Sequence, residues 1–134
     1  DLSLRSSKHH AGYYYHINPS DKAKARVKEK LKALTSRRNN CKPIGDMIEK
    51  TNKLLKGWLA YFHYGHPYET LADLDWYTGE RIRRNLIKRS QRGYRKPDSQ
   101  NWYTHFQKLG LKKLTQLSAK LRRKAVCGKS ARTV

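Results

Sequence analysis

The sequence is poor in acid. Its 134 residues include 10 Asp and Glu against 31 Lys and Arg, a formal net charge of +21 at pH 7. A surface so one-sided repels itself until something anionic neutralises it, and nucleic acid is the leading partner for such a charge. Scarcity of carboxylates also excludes a chemistry. Two-metal nucleotidyl transfer needs clustered acids, whereas Asp73 and Asp75 stand two apart, pointing in different directions from one expected helix, and no Asp-Asp pair occurs. Cysteine is nearly as scarce. Cys41 and Cys127 are far apart with no ligand pattern around them, so neither a disulfide framework nor a zinc cluster is expected, and both thiols should be reduced. No apolar run approaches the roughly 18 residues a bilayer-spanning helix requires, and no apolar signal segment precedes the first charged residues. Peripheral membrane binding would need a helix with a free apolar face, but the apolar stripes are spent on a core. The chain opens on Asp1 rather than Met, as a piece of a longer protein or a trimmed chain would.

What is present divides into segments. One domain of this length hides roughly two-thirds of its unfolded surface, and the expected fold is mainly α: a small bundle of three core helices with a C-terminal helical extension and a short N-terminal β-hairpin. The expected boundaries are a hairpin over 1–19, a bundle over 20–92, a linker with basic helices over 93–126 and a frayed tail over 127–134. Leu2 and Leu4 alternate, as do Tyr13, Tyr15 and Ile17 after Gly12, the period-two pattern of a hairpin packed by one face. His9 and His10 fall in its loop. Ser20 reads as a helix N-cap with Asp21 in the first turn, followed by Ala23, Val27, Lys30, Leu31 and Leu34 at helical spacing. Pro43 opens a second helix whose face carries Ile44, Met47, Ile48, Thr51, Leu55, Trp58, Leu59 and Phe62. Trp58 reads as a core residue, so its truncation to Ala should cost roughly 3 to 5 kcal/mol. Gly57 lies almost opposite that stripe, either for close approach of RNA or another chain to bare backbone, or as a tolerated defect costing about 1 kcal/mol relative to Ala. After a break at His63–Pro67, a third helix over 68–91 buries Leu71, Leu74, Thr78, Ile82 and Leu86. Trp76 and Ile87 fall outside that stripe, as an interface with a neighbouring domain or a nucleotide would require. A charged linker over 93–100 leads to a helix capped by Asp98 or Ser99 and carrying Trp102, Phe106 and Leu109. Gly110 interrupts it before a last basic helix.

Cationic and aromatic residues interleave. Tyr77, Arg81, Arg84 and Lys88 recur at i, i+4, i+7 and i+11 on one exposed line of the third helix, beside Arg83. Lys24, Lys28 and Lys32 form a stripe on the first helix, Arg37 and Arg38 a cationic loop, and Lys56 a further positive charge on the second. Taken alone, the Lys24 stripe reads as a solvated face. If the first and third helices are neighbours, these residues make one phosphate-binding surface whose affinity falls steeply with salt. Tyr64, Tyr68, Trp76 and Tyr77 offer stacking platforms, which favours unpaired RNA bases over a uniform duplex. His63 and His66 lack third and fourth ligands for a metal, and Tyr, Arg and His are abundant enough to meet by chance without forming a tyrosine-nucleophile site. The expectation is no metal, no cofactor and no catalysis. Two competing readings are a DNA-binding or strand-cleaving domain of a mobile element and a basic scaffold for an acidic protein.

Longer stretches carry a resemblance. Pro-Ser before a Lys-rich helix, then LTSRR, then CKPIGDMIEKTNKLLKGWLAYFHYG, then LADLDWYTGERIRRNLIKR resemble the maturase-specific domain, also called domain X or the thumb, of group II intron-encoded proteins. The likeness covers about Tyr15 to Arg92 and extends more softly into NWYTHFQKLGLKKL; the basic tail from Ala119 onward matches no part of the pattern. Its most specific parts are Gly57-Trp58…Tyr61-Phe62 and Leu74-Asp75…Tyr77…Arg81…Arg83-Arg84. The resemblance implies a helical bundle gripping group II intron RNA, assisting splicing and holding template and primer for a reverse transcriptase. It implies as partners the intron RNA and the palm and fingers of that enzyme, in a bacterial-type cytoplasmic ribonucleoprotein. The polymerase Tyr-x-Asp-Asp motif and the His-Asn-His endonuclease with its Cys pairs are absent from this sequence, and no oligomeric state is implied.

Overall fold

The computed structural model describes residues 2–9, 11–65, 67–96 and 100–131, the side chains of 125–131 excepted. His10, His66, Asp98, Ser99 and the Cys127 thiol lie outside the described residues. Strands β1 (Leu2–Ser6) and β2 (Tyr13–Ile17) pair antiparallel, Leu2 opposite Ile17 and Leu4 opposite Tyr15. Helices α1 (Asp21–Leu34), α2 (Ile44–Phe62), α3 (Tyr68–Lys88), α4 (Trp102–Lys108) and α5 (Leu114–Ala131) follow, with a 3-10 turn at Arg37–Asn39 between the first two. The expected mainly α bundle with an N-terminal hairpin is what forms. The last helix continues to Ala131, into the segment expected to fray. No helix among the described residues is long and apolar enough to cross a membrane.

Local chemistry sets the helix ends. Ser20, in extended backbone, accepts the Ala23 amide at 3.3 Å and starts α1. At the other end, carbonyls of the last turn take side-chain donors, two of them beside a backbone amide: Thr35 Oγ1 donates to Leu31 O at 2.7 Å, and Asn39 Nδ2 to Ala33 O at 2.9 Å and Leu34 O at 3.2 Å. Pro43 and Pro67 precede α2 and α3, and neither supplies a side-chain cap. Gly110, at φ 97°, stops α4 in the left-handed conformation that glycine adopts without steric cost. Its carbonyl accepts Asn52 Nδ2 at 2.8 Å while Asn52 Oδ1 takes the Lys112 amide at 3.0 Å, so one α2 side chain holds the α4–α5 turn.

The core has two lobes on a common spine. Val27 and Leu31 of α1, Leu55 and Leu59 of α2, Leu71 and Leu74 of α3 and Leu114 of α5 form one cluster. Met47 and Ile48 of α2, Ile82 and Leu86 of α3 and Phe106 of α4 form the other. Thus α2 and α3 contribute to both lobes, α1 and α5 only to the first, and α4 only to the second. The C-terminal helices pack into the bundle, with Leu114 fully enclosed. Buried Thr51 and Thr78 return their hydroxyls to Met47 O and Leu74 O, at 2.8 and 2.7 Å, which satisfies them inside an apolar stripe.

Three expectations need correction. The hairpin forms, but its apolar side does not pack: Leu2, Leu4, Tyr13, Tyr15 and Ile17 are all exposed, and the buried strand residue is His16 on the opposite face. The buried members of both core clusters all come from the helices, and no hairpin residue belongs to either. Trp58 and Phe62 pack only partly against the first lobe or beside it, and line an open groove between α1 and α2. Tyr77 is half-buried against that lobe rather than freely exposed.

Candidate nucleic-acid interface

The inward stripe of α3 dictates where its charges emerge. With Leu74, Thr78, Ile82 and Leu86 turned to the core, Arg81, Arg84 and Lys88 come out toward the end of α1, where Arg37 joins them from the 3-10 turn. These four cations, with Thr35, Asn40 and Asn85, line a cleft of about 220 Å³ that has no carboxylate among its lining residues. Guanidinium forks beside an ammonium and neutral amides suit the oxygens of a phosphate.

A polar network forms the back of the cleft. Asn85 is 5% exposed; its Nδ2 donates to Thr35 O at 3.1 Å and Asn40 Oδ1 at 2.8 Å, and its Oδ1 accepts Arg89 Nε at 3.1 Å. Arg89 Nη1 reaches Lys42 O at 2.6 Å. Arg81 is partly committed: its Nε donates to Thr35 Oγ1 at 3.1 Å and its Nη2 to Lys32 O at 3.4 Å, tying α3 to α1. The adjacency of α1 and α3, on which a single cationic surface depended, is therefore present.

Glu80 divides its carboxylate between two arginines. Arg83 Nε and Nη2 donate to its two oxygens at 3.0 Å each, and Arg84 Nε donates at 2.8 Å. The Arg83 hydrogen bonds, then that of Arg84, lower the Glu80 pKa from 4.5 to about 2. A carboxylate held down in the folded state stabilises the fold above its unfolded pKa and loses that contribution as pH falls through the folded one. Glu80→Gln should therefore lower stability at neutral pH by about 1 kcal/mol or less, the range of partly exposed ion pairs. Urea titrations of variant and wild type should converge between pH 4.5 and 2; a constant gap across that window would contradict the assignment.

The other anticipated residues are dispersed. Lys24 pairs with Asp21 at 3.1 Å, and Lys28 with Asp73 at 2.9 Å, its ammonium 5.4 Å from the Tyr77 ring centroid. Lys32, Arg38 and Lys56 are exposed and belong to no ion pair among the described residues. Arg83 turns away from the cleft and lines a second one with Trp76, Glu80, Trp102 and Tyr103. Tyr64, Tyr68 and Trp76 are well exposed, Ile87 less so. His63 Nδ1 donates to Ala60 O, 3.1 Å away at the end of α2. Cys41 is a free, exposed thiol. Among the described residues no group of three or more side chains is placed to hold a metal ion.

Asn40, Asn85 and Arg89 were not anticipated. A signal existed for Asn85, which sits between Ile82 and Leu86 on the inward face, where a polar residue implies a satisfied buried network. Asn40 and Arg89 become visible only once α1 and α3 are side by side.

No curated protein matches the chain. The family model described as "Group II intron, maturase-specific domain" matches residues 24–110. That span runs from the first turn of α1 to the glycine that stops α4 and includes every residue that lines the cationic cleft. Its function is maturase-related, and the chain belongs to the group II intron maturase-specific domain family.

Proposed function

We propose that this domain is a non-catalytic RNA-binding module, the thumb of a group II intron reverse transcriptase, that grips intron RNA during splicing and retrotransposition. The cleft between the end of α1 and α3 carries the reading: Arg37, Arg81, Arg84 and Lys88 converge on one concave site with no lining carboxylate, Arg84 while also bonded to Glu80 outside it, against a wall of hydrogen-bonded amides. Lys24, Lys28 and Lys32 extend positive charge along α1, although the first two must exchange a carboxylate for phosphate. The exposed apolar side of the hairpin supports a protein partner there, such as the polymerase palm.

The test is the salt dependence of intron RNA binding by Arg37→Ala/Arg84→Ala/Lys88→Ala. Arg81 is retained because it joins α3 to α1. Removing three phosphate contacts should reduce the slope of log K against log salt by roughly 2 to 3, at about 0.7 to 0.9 per contact. An unchanged slope in a folded variant removes the cleft from the interface. Duplex DNA and an unrelated RNA serve as parallel ligands, and tighter binding to duplex DNA would replace the reading with that of a DNA-binding domain.

A further inference from the structure

The groove between α1 and α2 lies outside the cationic cleft and has a different chemistry. It encloses about 460 Å³ between Ala23, Arg26, Val27 and Lys30 of α1 and Lys53, Leu54, Gly57, Trp58, Tyr61 and Phe62 of α2. Its wall is carbon-rich and aromatic. Trp58 and Phe62 lie 4.8 Å apart at 34°, and Tyr61 stands 5.6 Å from Phe62 while remaining 80% exposed. Its rim is cationic, and none of its lining residues is acidic. Lys53 has a partner in Glu49 at 3.2 Å, but both side chains are mostly exposed, so the pair is weak and exchangeable.

Gly57 is the telling residue. It sits in the interior of a 19-residue helix, where glycine is disfavoured relative to alanine. Packing gives no reason for it: a Cβ built there meets no heavy atom within 4 Å. The missing side chain preserves only the open volume of the groove and the bareness of its floor.

We infer that this groove takes an unpaired RNA base, stacked against its aromatic wall, with the flanking phosphates on Arg26, Lys30 and Lys53. A flat apolar ring joined to an anionic backbone matches both halves of the lining: stacking requires an aromatic face, and the rim supplies the counter-charge. This deepens, and rests on, the reading of the domain as an RNA-binding module. It adds a second locus that selects single strands, whereas the α1–α3 cleft grips phosphate whatever the pairing of the bases.

The experiment measures binding of the full chain to a short unstructured oligouridylate and to a closed RNA hairpin of equal charge. Gly57→Leu fills the groove from a position that touches nothing, and leucine is the better helix former, so the melting midpoint should rise by roughly 3 °C. Affinity for oligouridylate should fall about tenfold while that for the closed hairpin stays within about twofold. Tyr61→Ala, at an exposed site, should reproduce a several-fold selective loss without unfolding the protein. Unchanged oligouridylate binding by Gly57→Leu overturns the inference, as does an equal loss for both RNAs. Tighter binding of a short Phe- and Asp-rich peptide than of oligouridylate would also overturn it and give the groove to a protein segment. The closed hairpin separates the two readings: if it is bound and oligouridylate is not favoured, only the base site falls, and if neither RNA is bound both fall.

Discussion

Leu74→Ala is expected to destabilise the domain by about 3 to 5 kcal/mol, the upper range for a buried leucine, and to lower its melting midpoint by roughly 10 °C or more. Leu74 has no exposed surface and shares a cluster with side chains from α1, α2, α3 and α5. A cavity there would be walled by four helices held in place by their other contacts, so little relaxation is available to fill it. The larger residue Trp58 should cost less. It packs against the same cluster from the wall of an open groove, so Trp58→Ala leaves solvent-accessible space instead of a sealed void, and a loss of roughly 1 to 2 kcal/mol follows. Urea unfolding of both variants checks the order. If Trp58→Ala were as damaging as Leu74→Ala, the groove would be closed in solution.

The second large effect is expected at Asp75, which lies on α3 and caps α5. Its Oδ1 accepts the Leu114 amide at 2.7 Å, and its Oδ2 accepts the Thr115 amide at 3.1 Å and the Thr115 hydroxyl at 3.0 Å. A negative charge at the start of a helix satisfies orphan amides and complements the helix dipole. Here it also crosses between helices that share a core. Asp75→Ala should cost about 2 kcal/mol, since the donors left behind are partly buried and bonds to an ionised acceptor are the stronger kind. Asp75→Asn keeps one carbonyl acceptor and should lose less. Hydrogen exchange distinguishes a cap from a general support: in Asp75→Ala the amides of Leu114 and Thr115 should exchange faster before those of α2 change. Uniform acceleration across the bundle would refute the local role.

These two residues also mark what could be read without coordinates. Leu74 was legible because it belongs to a stripe repeating with the helical period, and the same periodicity located Leu71, Thr78, Ile82 and Leu86. Ser20 and the His63–Pro67 break were legible because capping and proline sterics act within a few residues. Asp75 was visible as a carboxylate pointing away from Asp73 and as part of a family pattern, but its capping role was not, because the amides it serves lie 39 and 40 residues along the chain. The same limit governs the cationic surface. Helical spacing aligns Arg81, Arg84 and Lys88, but Arg37 joins them, and Arg81 becomes partly engaged, only through the packing of α1 on α3. Alternation finds a hairpin and its apolar side without saying whether the bundle has an open face to receive it.

At the knuckle between α2 and α3, Gly65 has φ 79°, and a Cβ there would sit 2.7 Å from Ile17 Cβ and 2.8 Å from the Ile17 carbonyl oxygen. The obstruction includes backbone, so it cannot be relieved by turning a side chain aside. The hairpin is thus aimed by a fulcrum that carries no core weight. A substitution at position 65 would swing the strands away from the helices while leaving the leucine clusters untouched, which allows the bearing of the hairpin to be varied as a quantity separate from folding.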